Sequence, residues 1–164
     1  MILLTHSLVG ASVANFFPDN PYLAFTASLA SHYLMDAIPH RDYGEYYFTS
    51  KDSEPVNYLF KNLKLFSQIF LMSLDIILSV IFCAIIFFTD PSRIFITLVG
   101  IAGGILPDFL QLFYHLLKKE PFVIIQKFHE NIHSEKAKTS IFGTLTQVFV
   151  VLLFVGIYLL QRFL

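Results

Sequence analysis

Three unbroken apolar runs decide what this chain can fold into. Leu63–Phe88, Ile94–Leu117 and Ile141–Leu160 each supply the about 20 mostly apolar residues that carry a helix across a bilayer. A soluble fold of 164 residues has nowhere to put them, because a domain of that size buries only about 70% of its unfolded surface. Hydrophobic residues make up 55% of the chain and charged residues 14%, against about 25% charged in a soluble protein. A soluble enzyme and a disordered chain are both excluded on these grounds. The net charge of −1 offers no basic field, so nucleic acid is not an expected partner. The single cysteine, Cys83, excludes an internal disulfide and any paired-cysteine metal site.

Two shorter apolar segments, Ile2–Phe17 and Tyr22–Ile38, precede the long runs. Phe17-Pro18-Asp19-Asn20-Pro21 between them reads as a turn, with Pro21 suited to a first helical position. No Lys or Arg precedes the first segment, so it is read as a helix and not as a signal peptide. The expected fold is all-α: one integral membrane domain over residues 1–164, a bundle of about five transmembrane helices. Pro39–Asn62 and Lys118–Ser140 are polar. Within the second, Phe122, Ile125, Phe128 and Ile132 recur at helical spacing and predict an amphipathic helix at the interface, in contact with membrane lipids. Five alternating helices put the N-terminus and both polar stretches on one side. That side collects nine of the eleven Lys and Arg, leaving only Arg93 and Arg162 opposite. The positive-inside rule makes it cytoplasmic, with the C-terminus outside the cell membrane.

In so apolar a chain, ionisable groups within helices are costly and need a reason. His32 and Asp36 are four apart at the end of the second helix, on one face, and Pro39 stops that helix just before His40. The pair suits a shared metal or a simple mutual hydrogen bond. His6 opens the first helix. Asp108, Gln111 and His115 share a face of the fourth, where Pro107 also frees a carbonyl in the preceding turn. Gly100 and Gly104 form a GxxxG, read as close helix packing. Asp75 lies near the middle of the third helix, as a supporting acid or as half of an interhelical hydrogen bond. His129-Glu130-Asn131-Ile132-His133 is an HExxH, which in zinc peptidases gives two ligands and a general base. On an interfacial helix it equally fits a solvated polar face. All six histidines fall in the predicted cytoplasmic half, which favours one cluster over six separate explanations.

Thr5-His6, Ser31-His32-x-x-x-Asp36 and Leu106-Pro107-Asp108 resemble motifs of the bacterial membrane-bound metal-dependent hydrolases, a family that includes LexA-regulated inner-membrane members. More distantly they resemble zinc-dependent phospholipase C, an all-helical enzyme with a zinc cluster, although there Pro-Asp precedes the His-x-x-x-Asp helix and here it follows. The resemblance implies His6, His32, Asp36 and Asp108 as metal ligands, with His40 as a further one and His129 or His133 completing the set. The chain is also similar to a group of small bacterial membrane proteins sharing the Thr-His start, the Ser-His…Asp…Pro-His stretch, Leu-Pro-Asp and Phe-His…His. The Glu of HExxH is not part of that pattern.

Three functions remain open on the sequence. The leading one is a hydrolase using two or three divalent metal ions, zinc by preference, at the inner ends of the helices. Its ligands come from His6, His32, Asp36, His40, Asp108, His115, His129 and His133, its substrate is a lipid or amphiphilic phosphoester, and Pro121–His133 acts as a lid. The second is a metallopeptidase with Glu130 as base and a third ligand such as Asp108. The third is a metal-binding, ion-handling or structural membrane protein without catalysis.

Overall fold

A computed structural model describes residues 1–41, 63–134 and 141–162. The side chains of 63–69, 112, 115 and 116 lie outside that description, as do most of the first polar stretch and residues 135–140. Every regular element among the described residues is helical: α1 (Leu3–Ala14), α2 (Pro21–Ala37), α3 (Leu63–Phe87), a short 3-10 turn (Pro91–Arg93), α4 (Ile94–Leu117), α5 (Phe122–Ile132) and α6 (Ile141–Gln161). These bounds match the expected segments closely, except that α1 stops at Ala14 and not at Phe17. There Asn15 leaves the helix and its side-chain amide donates to the Ala11 carbonyl and to Thr97 Oγ1, both at 2.9 Å.

Three stretches are long and apolar enough to cross a membrane: Phe70–Phe87, Pro91–Gln111 and Ile141–Gln161. α1 is not one of them. Its 12 residues span about 18 Å, short of a hydrocarbon core of about 30 Å. It is instead the centre of the bundle, packed by α2, α3, α4 and α6, and every residue of it but Leu4 is buried. A helix enclosed on all sides has no need for a polar face. Its two serine hydroxyls are satisfied within it: Ser7 donates to the Leu3 carbonyl and Ser12 to that of Leu8, each at 2.8 Å.

Local signals set the remaining ends. Asn20 accepts from the Leu23 amide at 3.0 Å and caps α2, with Pro21 in its first turn. α2 ends at Ala37, two residues before Pro39. α4 carries Pro107 inside it and ends on Lys118 in the left-handed region. α1 has no cap of its own, and the Asp75 carboxylate of α3 replaces it by accepting from the Leu4 amide at 3.0 Å.

Contacts give the helix directions. Gly104 lies against the His6 backbone while Gly100 lies against Gly10 and Ala14, so α1 and α4 are antiparallel. A Cβ added to Gly104 would sit 2.5 Å from the His6 carbonyl, so only glycine permits this approach. Gly103 meets Phe25 and Ser28, and Gly104 meets His32, so α2 runs with α4. Asp75 meets Leu4 while Phe87 clusters with Ala11, so α3 runs with α1. Gln147 bonds the Arg41 carbonyl near the end of α2, whereas Arg162 bonds Thr89 beyond α3, so α6 also runs with α1. The start of α1 and the ends of α2 and α4 therefore meet at one end of the bundle.

α5 closes that end. The Ser134 amide donates to the Asp36 carbonyl at 2.8 Å, tying the end of α5 to the end of α2. Its buried residues are polar, Gln126 and His129, while Ile124 and Phe128 are exposed. The expected alternative, a histidine face in solvent, does not hold for His129, which is 4% exposed. Ile124 and Phe128 are left to face outward, the exposure that an interfacial helix would show.

Candidate metal centre

Asp36 is fully buried at the last turn of α2, with histidines from four segments around its carboxylate. His32, one turn earlier on the same face, places Nε2 3.1 Å from Oδ2. His129 reaches the same oxygen from α5, also at 3.1 Å. On the other oxygen, Oδ1, His6 Nε2 lies at 3.2 Å and His40 Nε2 at 3.9 Å. The Met1 α-amino group also lies 3.0 Å from Oδ1. Asp108 enters from α4, its Oδ1 3.8 Å from His32 Nε2. His133 completes the ring with Nε2 3.2 Å from His40 Nε2.

Backbone carbonyls fix the orientation of two of these rings. His32 Nδ1 lies 2.7 Å from the Gly104 carbonyl and His40 Nδ1 lies 2.7 Å from the Ile38 carbonyl. A carbonyl only accepts, so Nδ1 donates in both, and in the neutral form of either ring the lone pair of Nε2 turns toward the cluster. This is the outer support that metal-binding histidines have. The GxxxG approach of α4 to α1 supplies the Gly104 carbonyl, so close packing and ligand orientation share one residue. His6 and His32 stack with centroids 3.9 Å apart, and Tyr33 meets His32 and His129 edge-on at 5.4 and 5.9 Å.

The donor set fits a divalent metal. Two groups each bring their ligand atoms within 4.8 Å of one another: His32, Asp36, Asp108 and His129, and Asp36, His40 and His133. A tetrahedral ion with bonds of about 2.1 Å holds its ligands about 3.4 Å apart, and the Asp36 contacts of 3.1 to 3.9 Å bracket that value. Both nitrogens of His6, Nε2 of His32, Oδ2 of Asp36, Oδ2 of Asp108 and Nδ1 of His129 are buried without a well-formed hydrogen bond. So many unsatisfied groups at one point are costly unless a cation engages them. Asp36 belongs to both groups, with His32 and His129 at Oδ2 and His6 and His40 at Oδ1.

Of the residues expected in the site, His6, His32, Asp36, His40, Asp108, His129 and His133 come together. The side chain of His115 lies outside the described residues. Asp75 is the acceptor at the start of α1, on the amide two residues before His6. Glu130 is exposed on α5, its carboxylate accepting from Gln126 Nε2 at 2.9 Å. The pattern of residues gave no sign of the Gly104 and Ile38 carbonyls, and Tyr33 was legible only as the neighbour of His32. No family model, curated protein or solved structure matches this chain.

Proposed function

We propose that the chain is a metal-dependent hydrolase embedded in the cytoplasmic membrane, acting on a phosphoester of a lipid or amphiphile at the cytoplasmic face. The observation that carries this reading is the Asp36 carboxylate held among His6, His32, His40 and His129, with Asp108 and His133 closing two groups of ligand atoms around it. Nitrogen and oxygen ligands in two adjoining groups suit a pair of zinc ions. His32, Asp36, Asp108 and His129 would hold one, and Asp36, His40 and His133 the other, with His6 at the shared carboxylate. When bound, such a pair supplies Lewis acidity for a phosphoryl oxygen and an activated water at neutral pH.

The chain's own residues do the positioning. The Gly104 and Ile38 carbonyls hold His32 and His40 in the ligating tautomer. α5 covers the site and keeps bulk water from His129. Asp108, with a side chain 18% exposed, lies where a substrate approaches. The resemblance to the membrane-bound metal-dependent hydrolases agrees with this ligand set. Alternating helix directions agree with five crossings in which α1 is the enclosed member and α2 packs on it with one face exposed, the site end facing the cytoplasm.

The placement of Glu130 favours this reading over a peptidase. It is exposed and engaged by Gln126, and the two histidines of the HExxH belong to different groups of ligand atoms. A test is hydrolysis of an amphiphilic phosphate ester by zinc-loaded protein in detergent. Activity should vanish in Asp108→Asn and survive in Glu130→Gln. An inactive Glu130→Gln beside an active Asp108→Asn would reverse the assignment.

A further inference from the structure

Beside the metal centre an apolar cleft of about 160 Å³ opens between α1, α3 and α4. Leu3 and Ser7 form its floor, Ile76 and Val80 one wall, Ile105 and Phe109 the other. The serine hydroxyls that touch it are already engaged, Ser7 with the Leu3 carbonyl at 2.8 Å and Ser79 with the Asp75 carbonyl at 2.7 Å. The cleft therefore presents hydrocarbon only. Ile76, Val80 and Phe109 are exposed on the outer surface of the bundle, within the belt that faces lipid. From Ile101 to Phe109 the α4 wall is about 12 Å long, the scale of part of a fatty acyl chain.

One end of the cleft lies toward the metal centre. The contacts of Gly104 with His6 and of Asp75 with Leu4 set Leu3, Ile76 and Phe109 at the level of the metal centre. Phe109 directly follows Asp108, the partly exposed carboxylate of the cluster, whose Oδ2 has no hydrogen-bond partner. A cleft of pure hydrocarbon, open to lipid and ending beside that carboxylate, fits an amphiphile with its chain inside and its head at the ligands.

We propose that this cleft binds one acyl chain of the substrate and so selects long-chain phosphoesters. The proposal rests on the hydrolase reading for the word substrate, but chain binding can be measured without turnover. The probes are dodecyl phosphate and butyl phosphate, titrated by native mass spectrometry onto zinc-loaded protein in detergent. Val80→Trp fills the cleft from its exposed rim, away from the metal centre, and the smaller Val80→Phe is the second variant should the first fold poorly. Each methylene displaced from an apolar site costs about fourfold in affinity, so either variant should bind dodecyl phosphate at least about tenfold more weakly. Butyl phosphate binding and zinc content should not change. Unchanged dodecyl phosphate binding in both folded variants, or an equal loss for both probes, overturns the cleft as the chain site. Chain-selective binding without hydrolysis of any phosphoester supports the cleft and removes the hydrolase reading instead.

Discussion

Asp36 shows how much one buried carboxylate can organise. A bare charge in this environment costs a few kcal/mol, about 2.5 to 3.5 on insertion scales, and four histidines and the Met1 amino group answer it. Asp36→Asn keeps the shape and removes the charge that both ligand groups share. It should lower zinc affinity by more than the about 10- to 100-fold that loss of an outer supporting contact brings, measured by competition with a chelator. The glycines give a second test. Gly104→Ala places a methyl 2.5 Å from the His6 carbonyl, whereas Gly156 has nothing within 4 Å. Gly104→Ala should destabilise the protein by about 1–3 kcal/mol through overpacking. Gly156→Ala should be neutral or stabilising by up to about 1 kcal/mol through helix propensity, with both read from unfolding in detergent. At this scale the sequence was legible where burial is expensive: His6, His32, Asp36 and Asp108 stood out because an apolar helix has little reason to carry them. The Gly104 and Ile38 carbonyls did not stand out, since every residue has a carbonyl and only the fold brings those two to a ring nitrogen.

Among the elements, the long helices were read nearly to the residue because their apolar runs end at Pro, Asn and Lys. α1 was read three residues too long at its end, and its enclosure at the centre of the bundle was not read at all. Its apolar pattern is the same whether lipid or protein surrounds it, and only packing distinguishes the two. α5 was legible as amphipathic, but not which side would be buried: the polar face turns inward because its histidines have partners there. Asp75 belongs to this scale as well. Its bond to the Leu4 amide anchors the first turn of α1, from which His6 projects. Asp75→Leu removes that acceptor and should cost about 1 kcal/mol, as loss of a helix cap does. Asp75→Asn retains an acceptor oxygen and should keep stability and, under the proposed function, phosphoester hydrolysis. A stable but inactive Asp75→Asn would instead give the carboxylate a part in the chemistry.

For the whole molecule, alternation of the helices gathers ligands that lie far apart in sequence. His6 and His129 are separated by more than a hundred residues, yet both reach Asp36 because three helix ends meet at one end of the bundle. The direction of each helix was legible from the alternation of apolar and polar stretches. The depth of α5 against that end was not, because no periodicity records it. With the site end cytoplasmic, a Cys83→Ala protein carrying Ser92→Cys should react with a membrane-impermeant thiol reagent added to intact cells. The same background carrying Lys119→Cys should react only after permeabilisation, and the reverse pattern would invert the orientation. The most direct test of the central claim is elemental analysis of the detergent-purified protein beside its His32→Ala/Asp108→Ala variant. Coordination by the Asp36 cluster predicts one to two equivalents of a divalent transition metal, about the number its two ligand groups allow, and loss of most of it in the variant. A folded, monodisperse wild-type protein that holds no metal after purification in excess zinc would contradict it.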